Sequence, residues 1–308
     1  MNKSRKKLSR RIVALIVAGA ILITLLFTVL GFFIAFWVSD AHVQTWVPDY
    51  EMISEEQLKS IYDKDELSDD DYRILYEQTG LTRIGVERAR AKATGFATVK
   101  RIQQSFFKER GKQKELYAPL ICTDYLSNDE YAEMIYLERG DILVTSSTHF
   151  AGFRIGHAAI STSTTGRIFQ SNQVGQSNGY STASGMFANR INFMVLRINP
   201  KCFSESGTAD ESYYDNLDRA TRFIETQFAN VPYNIFMGTF IKKDSIKGTN
   251  CAHLVWYGFK HFDDENGGRF NIDLDSNGRP LVVPKNISES EYVEVVQIFG
   301  FNPQKMYE

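Results

Sequence analysis

The sequence predicts an α+β domain of antiparallel strands and one thiol-bearing helix, set behind a layer of helices and a single apolar membrane helix. Three observations predict it. Ile12 to Val38 is an uncharged run long enough to cross a bilayer, where about 20 residues suffice. Two capping patterns at Ser54 and Ser68 open polar-faced helices. From Leu116 onward, short β-branched and aromatic runs are punctuated by turns, until Gly248-Thr249-Asn250 leads into the apolar stretch Cys251-Ala252-His253-Leu254-Val255-Trp256.

Residues 1–11 carry Lys3, Arg5, Lys6, Lys7, Arg10 and Arg11 and no acid. A basic head before an apolar run longer than the roughly 7–15 residues of a secretory core reads as an uncleaved anchor over 12–38. The positive flank places the N-terminus inside and everything after about residue 39 outside. Those six residues are among the 35 basic ones and all 37 acids lie beyond them, so the rest of the chain has a formal charge of −8. With no basic stripe interleaved with aromatics, nucleic-acid binding is not expected.

Residues 39–115 read as a helical stalk or collar, with the alternative that they cover one edge of the domain behind. Ser54-Glu55-Glu56-Gln57 starts one helix; Ser68 starts a second that stops near Gly80; a third is expected from about Val86 to Arg110, with Val99, Ile102 and Phe106 on one face. Residues 116–308 form the α+β domain. Strands are expected at Asp141–Val144, His157–Ser161, Arg167–Gln170, Phe193–Ile198 and Val293–Phe299, and a helix over 211–229 with Leu217, Ala220, Ile224 and Phe228 at core spacing.

Chemistry concentrates at Cys251 and His157. A free cysteine is most often a small buried hydrophobe. Cys251, however, follows Gly-Thr-Asn at the first turn of a helix, where backbone N–H groups lower a thiol pKa and receive an oxyanion. His157 follows a glycine in an apolar strand, where a satisfied core histidine is the commoner outcome. His253 is expected to pack, and His42, His149 and His261 show no partner pattern. Cys122 and Cys202 either pair with each other or stay free; both alternatives leave Cys251 as an odd thiol. Asp273-Leu274-Asp275-Ser276-Asn277-Gly278 has the opening of a calcium loop, but its twelfth position is Pro284 instead of glutamate, so a turn without metal is expected.

Five short motifs occur in one order: Gly140-Asp141-Ile142-Leu143, Gly156-His157-Ala158-Ala159-Ile160, Ile168-Phe169-Gln170-Ser171, Pro232-Tyr233-Asn234 and Asn250-Cys251-Ala252-His253-Leu254-Val255-Trp256. In this the chain resembles the permuted NlpC/P60 papain-like proteins, the YiiX/YycO-like branch above all, over about residues 116–300. The resemblance implies a circularly permuted papain-like core whose histidine strand precedes its cysteine helix. It implies Cys251 as nucleophile, His157 as base and the side chain at Gln170 as the group that orients the imidazole, through the Nδ1–H. Gln170 departs from the Glu or His usual at that place and offers no charge to an imidazolium. Tyr233 and Asn250 fall at the cleft, as donors to a substrate carbonyl or its oxyanion, with ring packing the alternative for Tyr233. No cofactor or metal is implied. The implied activity is an extracellular cysteine hydrolase acting on an amide or ester, with cell-wall peptides or a lipid acyl group as substrate. A catalytically silent surface binding module of the same fold and a thiol acyltransferase are the alternatives.

Overall fold

The computed structural model describes residues 10–41, 46–118, 121–150, 153–172, 175–238, 240–264, 267–270 and 272–306. The first nine residues of the basic head, and His42, lie outside them. The protein is α+β with two antiparallel sheets. Helix α1, Arg10–Ala41, contains the 23-residue stretch Ile12–Ile34, long and apolar enough to cross a membrane and unburied by the rest of the chain.

Four helices follow: α2 Glu55–Tyr62, α3 Asp69–Thr79, α4 Arg83–Arg90 and α5 Gly95–Phe107. Ser54 and Ser68 cap the first two reciprocally with Gln57 and Asp71, and Gly80 ends α3 in the left-handed region at φ 72°. The single helix expected from Val86 to Arg110 is instead two, α4 and α5. The chain turns at 91–94, and a Cβ on Gly95 would lie 2.0 Å from the Ala89 carbonyl oxygen. Glycine permits that approach, and the apolar face of α5 (Val99, Ile102, Phe106) is buried beyond it.

The strands are β1 Lys112–Ala118, β2 Ile121–Leu126, β3 Ile142–Thr145, β4 Thr148–Phe150, β5 Phe153–Arg154, β6 His157–Ser161, β7 Arg167–Gln170, β8 Gly179–Thr182, β9 Phe193–Ile198 and β10 Val293–Phe299. The main sheet runs β10-β9-β3-β6-β7-β8; the smaller one runs β1-β2-β4-β5. The short helix α6, Pro200–Phe203, leads to α7, Glu211–Phe228, followed by α8, Cys251–Asp264, and α9, Pro284–Ser288.

Alternation along the strands sends each side chain to one of two cores. Val144, Ala158, Ile160, Phe169 and Leu196 join Leu217, Ile224, Val255 and Phe259 of α7 and α8. Leu143, Ala159, Ile168, Phe193 and Val195 join Leu58, Leu75, Val86, Val99 and Ile102 of α2–α5. Both faces of the main sheet are thus covered, and the helical layer shares its core with the sheet. Cys122, Cys202 and Cys251 are all free thiols.

Candidate active site

Three elements converge at one end of β6. Gly156 precedes His157 at φ 72°, with its Cβ position 2.4 Å from the Thr145 carbonyl oxygen. Only glycine fits there without strain, so it sets where the strand, and the imidazole with it, begins. Gly156→Ala is therefore expected to cost roughly 1–2 kcal/mol from backbone conformation alone, before the clash is counted. Thermal unfolding reads this, and an unchanged melting temperature would refute it.

His157 leaves β6 on the Ala159 side, and its ring stacks on Phe187 with centroids 5.5 Å apart and planes at 23°. Gln170 ends β7 on the same face as Ile168, and its Oε1 accepts from the His157 Nε2–H at 2.7 Å. The orienting bond expected at Nδ1 thus falls on Nε2. The reason is direction: β7 lies beside β6 and presents Gln170 to the far edge of the ring. With the proton fixed at Nε2, Nδ1 becomes the basic nitrogen.

Cys251 is N1 of α8. Asn250 is the N-cap: its backbone carbonyl accepts from Leu254 at 3.0 Å and its Oδ1 from the His253 N–H at 2.8 Å. The side-chain oxygen of Asn250, expected at the substrate, is thus committed to the helix start. Thr249 and His253 hold the approach: Thr249 Oγ1 meets His253 Nδ1 at 2.8 Å, and His253 Nε2 donates to the Lys243 carbonyl at 2.7 Å. His253 packs, as its position two residues past the thiol suggests.

The thiol is buried against β6. Burial pushes Cys251 up to about 11, opposed by the backbone N–H groups of Ala158, Ala252 and Cys251 itself. Burial likewise lowers His157 to about 4, opposed by the Gln170 bond and reinforced by the Arg190 guanidinium. Among the described residues no hydrogen bond joins thiol and imidazole: the thiol packs in the core on the Ala158 side of β6, within reach of the Ala158 N–H, and the imidazole lies on the Ala159 side against Phe187. Both groups rest neutral. Tyr233, paired with Thr249 across an isolated bridge, lies by the thiol; burial, then the charge a Cys251 thiolate would carry, keeps its phenol protonated and able to donate.

The chain matches no family model, no curated protein and no solved structure.

Ala158, Phe187 and Arg190 are contributors that the motif reading missed. Ala158 acts through its backbone, which leaves no side-chain signal. Phe187 and Arg190 lie in the irregular turn before β9, far in sequence from both motifs. The acidic loop after α8 carries cations of the chain itself: Asp273 accepts from Trp256 Nε1 at 2.7 Å and pairs with Lys260, and Asp275 pairs with Lys243. No cluster of three or more metal-ligating side chains occurs among the described residues.

Proposed function

We propose that this chain is a membrane-anchored cysteine hydrolase with a permuted papain-like core. The observation that carries the reading is the His157–Gln170 bond at the start of β6, the strand on which the helix-N1 thiol of α8 packs, because it leaves Nδ1 as the basic nitrogen. Cys251 Sγ attacks a carbonyl carbon while His157 Nδ1 takes the thiol proton. The imidazolium returns that proton to the leaving amine or alcohol, and water then cleaves the thioester. The N–H groups of Cys251 and Ala252, with the Tyr233 hydroxyl, receive the oxyanion. Because both partners rest neutral, deprotonation accompanies attack instead of preceding it.

The anchor is α1, and the basic head before it favours an inside N-terminus and an outside domain. Amides of cell-wall peptides and acyl groups of lipids both suit an outward-facing site of this kind. An activated ester tests the chemistry without naming the substrate. With p-nitrophenyl acetate at pH 7, mass spectrometry is expected to find the acyl group on Cys251 and none in Cys251→Ala. His157→Ala should slow acylation by about 10²–10⁴-fold, the range for general-base catalysis. Equal acylation with and without His157 would sink the reading.

A second reading has its own support. The neutral resting pair, the absent thiol–imidazole bond and the uncharged Gln170 also suit a silent module that keeps the fold to bind. The same assay separates the two, since a silent module acylates no faster than a buried thiol.

A further inference from the structure

Exposed apolar side chains stand on the segments that lead into His157 and Cys251. Phe153, in the β4–β5 hairpin, is 54 % exposed and stands four residues before His157. Its ring meets Phe32 of α1 edge-on at 6.4 Å. Phe32 lies two residues inside the end of the apolar stretch Ile12–Ile34, roughly 3 Å along the helix axis at 1.5 Å per residue. The hairpin therefore sits in the last turns of the apolar run, whose uncharged sequence continues to Val38, six residues and roughly 9 Å beyond Phe32.

The segment before Cys251 has the same character. Residues 234–238 and 240–248 belong to a loop whose ends are closed: the Asn234 N–H donates to the Thr249 carbonyl at 2.7 Å. It presents Phe240 at 81 % exposure, Phe236 at 48 % in ring contact with it, and Ile246 at 41 %. Lys242 and Lys247 are exposed on the same loop. Aromatic tips flanked by lysines fit the headgroup boundary of an anionic bilayer. The loop is built and not a loose flap, since a Cβ on Gly238 would lie 1.8 Å from the Pro280 carbonyl oxygen.

Both features stand at one end of the main sheet. Hairpin β4–β5 feeds the start of β6, and the loop feeds the start of α8, whose thiol touches Ala158 of β6. We propose that this end docks on the lipid bilayer that α1 crosses, with Phe236, Phe240 and Ile246 of the loop before α8 and Phe153 of the β4–β5 hairpin seated in the headgroup region beside the starts of α8 and β6. The consequence for the site is a substrate class: a carbonyl on a membrane-resident amphiphile, delivered from the bilayer surface to Cys251. That consequence rests on the hydrolase reading; the docking itself does not.

The test uses the full chain in nanodiscs of phosphatidylcholine and phosphatidylglycerol, with or without dibromo-phosphatidylcholine as a contact quencher of tryptophan. Phe153→Trp and Phe240→Trp report the proposed face. Tyr214→Trp reports the far end, since Tyr214 is exposed on α7 beside Tyr213, which bonds the Ile198 carbonyl where β9 ends. The native tryptophans give a common background. The first two variants are expected to lose about half or more of their added emission in brominated discs, as groups seated about 5–10 Å into the boundary would. Tyr214→Trp should lose almost none. The proposal fails unless both reporters exceed that control; a chain that does not co-elute with discs overturns the docking and the anchor together. Repeating the measurement in Cys251→Ser separates the outcomes, because a failed hydrolase leaves the quenching unchanged and a failed docking leaves acylation by the soluble ester unchanged.

Discussion

Asp141→Ala is expected to destabilise the domain by about 3–5 kcal/mol, the cost of leaving buried charges without their partner. Asp141 is fully buried at the start of β3. Its Oδ2 accepts from Arg88 Nη1 at 2.7 Å and from the Glu138 N–H at 2.7 Å; its Oδ1 accepts from Arg197 Nε at 2.8 Å and Arg88 Nη2 at 3.2 Å. One carboxylate therefore ties a helix of the outer layer (α4), the turn into β3 and strand β9. Removing it strands two guanidiniums that are each less than a tenth exposed. Glu138 also pairs with Arg197, but it is partly exposed and reaches Arg88 only at 3.8 Å, so it offsets a fraction of the loss. For a domain of this size the loss corresponds to a fall in melting temperature of roughly 6–20 °C. A fall of only a degree or two would mean that the helical layer is held by its apolar contacts and that the clamp is dispensable.

That clamp marks where the sequence stops being readable. Asp141 in its Gly-Asp-Ile-Leu motif reads as the residue that fixes a turn, and its bond to the Glu138 N–H is that role. Nothing in the motif announces Arg88 or Arg197, 53 and 56 positions away along the chain. The helices at 55–79 are legible because caps are local: Ser54 and Ser68 satisfy backbone groups three residues on. The break at 91–94 is not, because it depends on Gly95 meeting a carbonyl in the preceding helix. Strands β3, β6, β7, β9 and β10 of the main sheet are legible from Ile, Val, Phe and Leu runs, whereas its edge strand β8, Gly-Tyr-Ser-Thr, is not. The smaller sheet is not, since β1 begins Lys-Gln-Lys-Glu and lies exposed there, with no apolar alternation to betray it. At the site, residue types at Cys251, His157 and Gln170 suggest the parts. Their protonation does not follow from type, because burial sets it and burial comes only with the fold. A helix N-terminus alone argues for an acidic thiol; at Cys251 desolvation outweighs it.

Gln170→Glu is expected to convert the resting neutral pair into one that ionises. In the native protein the thiol is raised to about 11 and the imidazole lowered to about 4, both mainly by burial. Proton transfer from sulfur to nitrogen is therefore uphill across the neutral range, and iodoacetamide should find little thiolate until the solution is strongly alkaline. A glutamate at position 170 sets a carboxylate where the amide oxygen now sits, 2.7 Å from Nε2. An opposite charge at that distance raises a histidine pKa by about 1–3 units, so the imidazolium becomes easier to form and the thiolate with it. The sign is fixed: the charged pair gains and alkylation moves to lower pH. At pH 6 the rate is expected to rise by about 10- to 100-fold, somewhat less than the full range because the carboxylate is itself buried. His157→Ala in the same background should remove the gain, since a glutamate without the imidazole has no proton acceptor to stabilise. A profile unmoved by Gln170→Glu would show that the imidazole and thiol do not exchange a proton, which would leave the neutral module as the better account. A gain in alkylation that depends on His157, with no matching gain in ester turnover, would place the native glutamine on the side of function. The introduced carboxylate would then hold the proton too firmly on the imidazole, and return it more slowly to a leaving group.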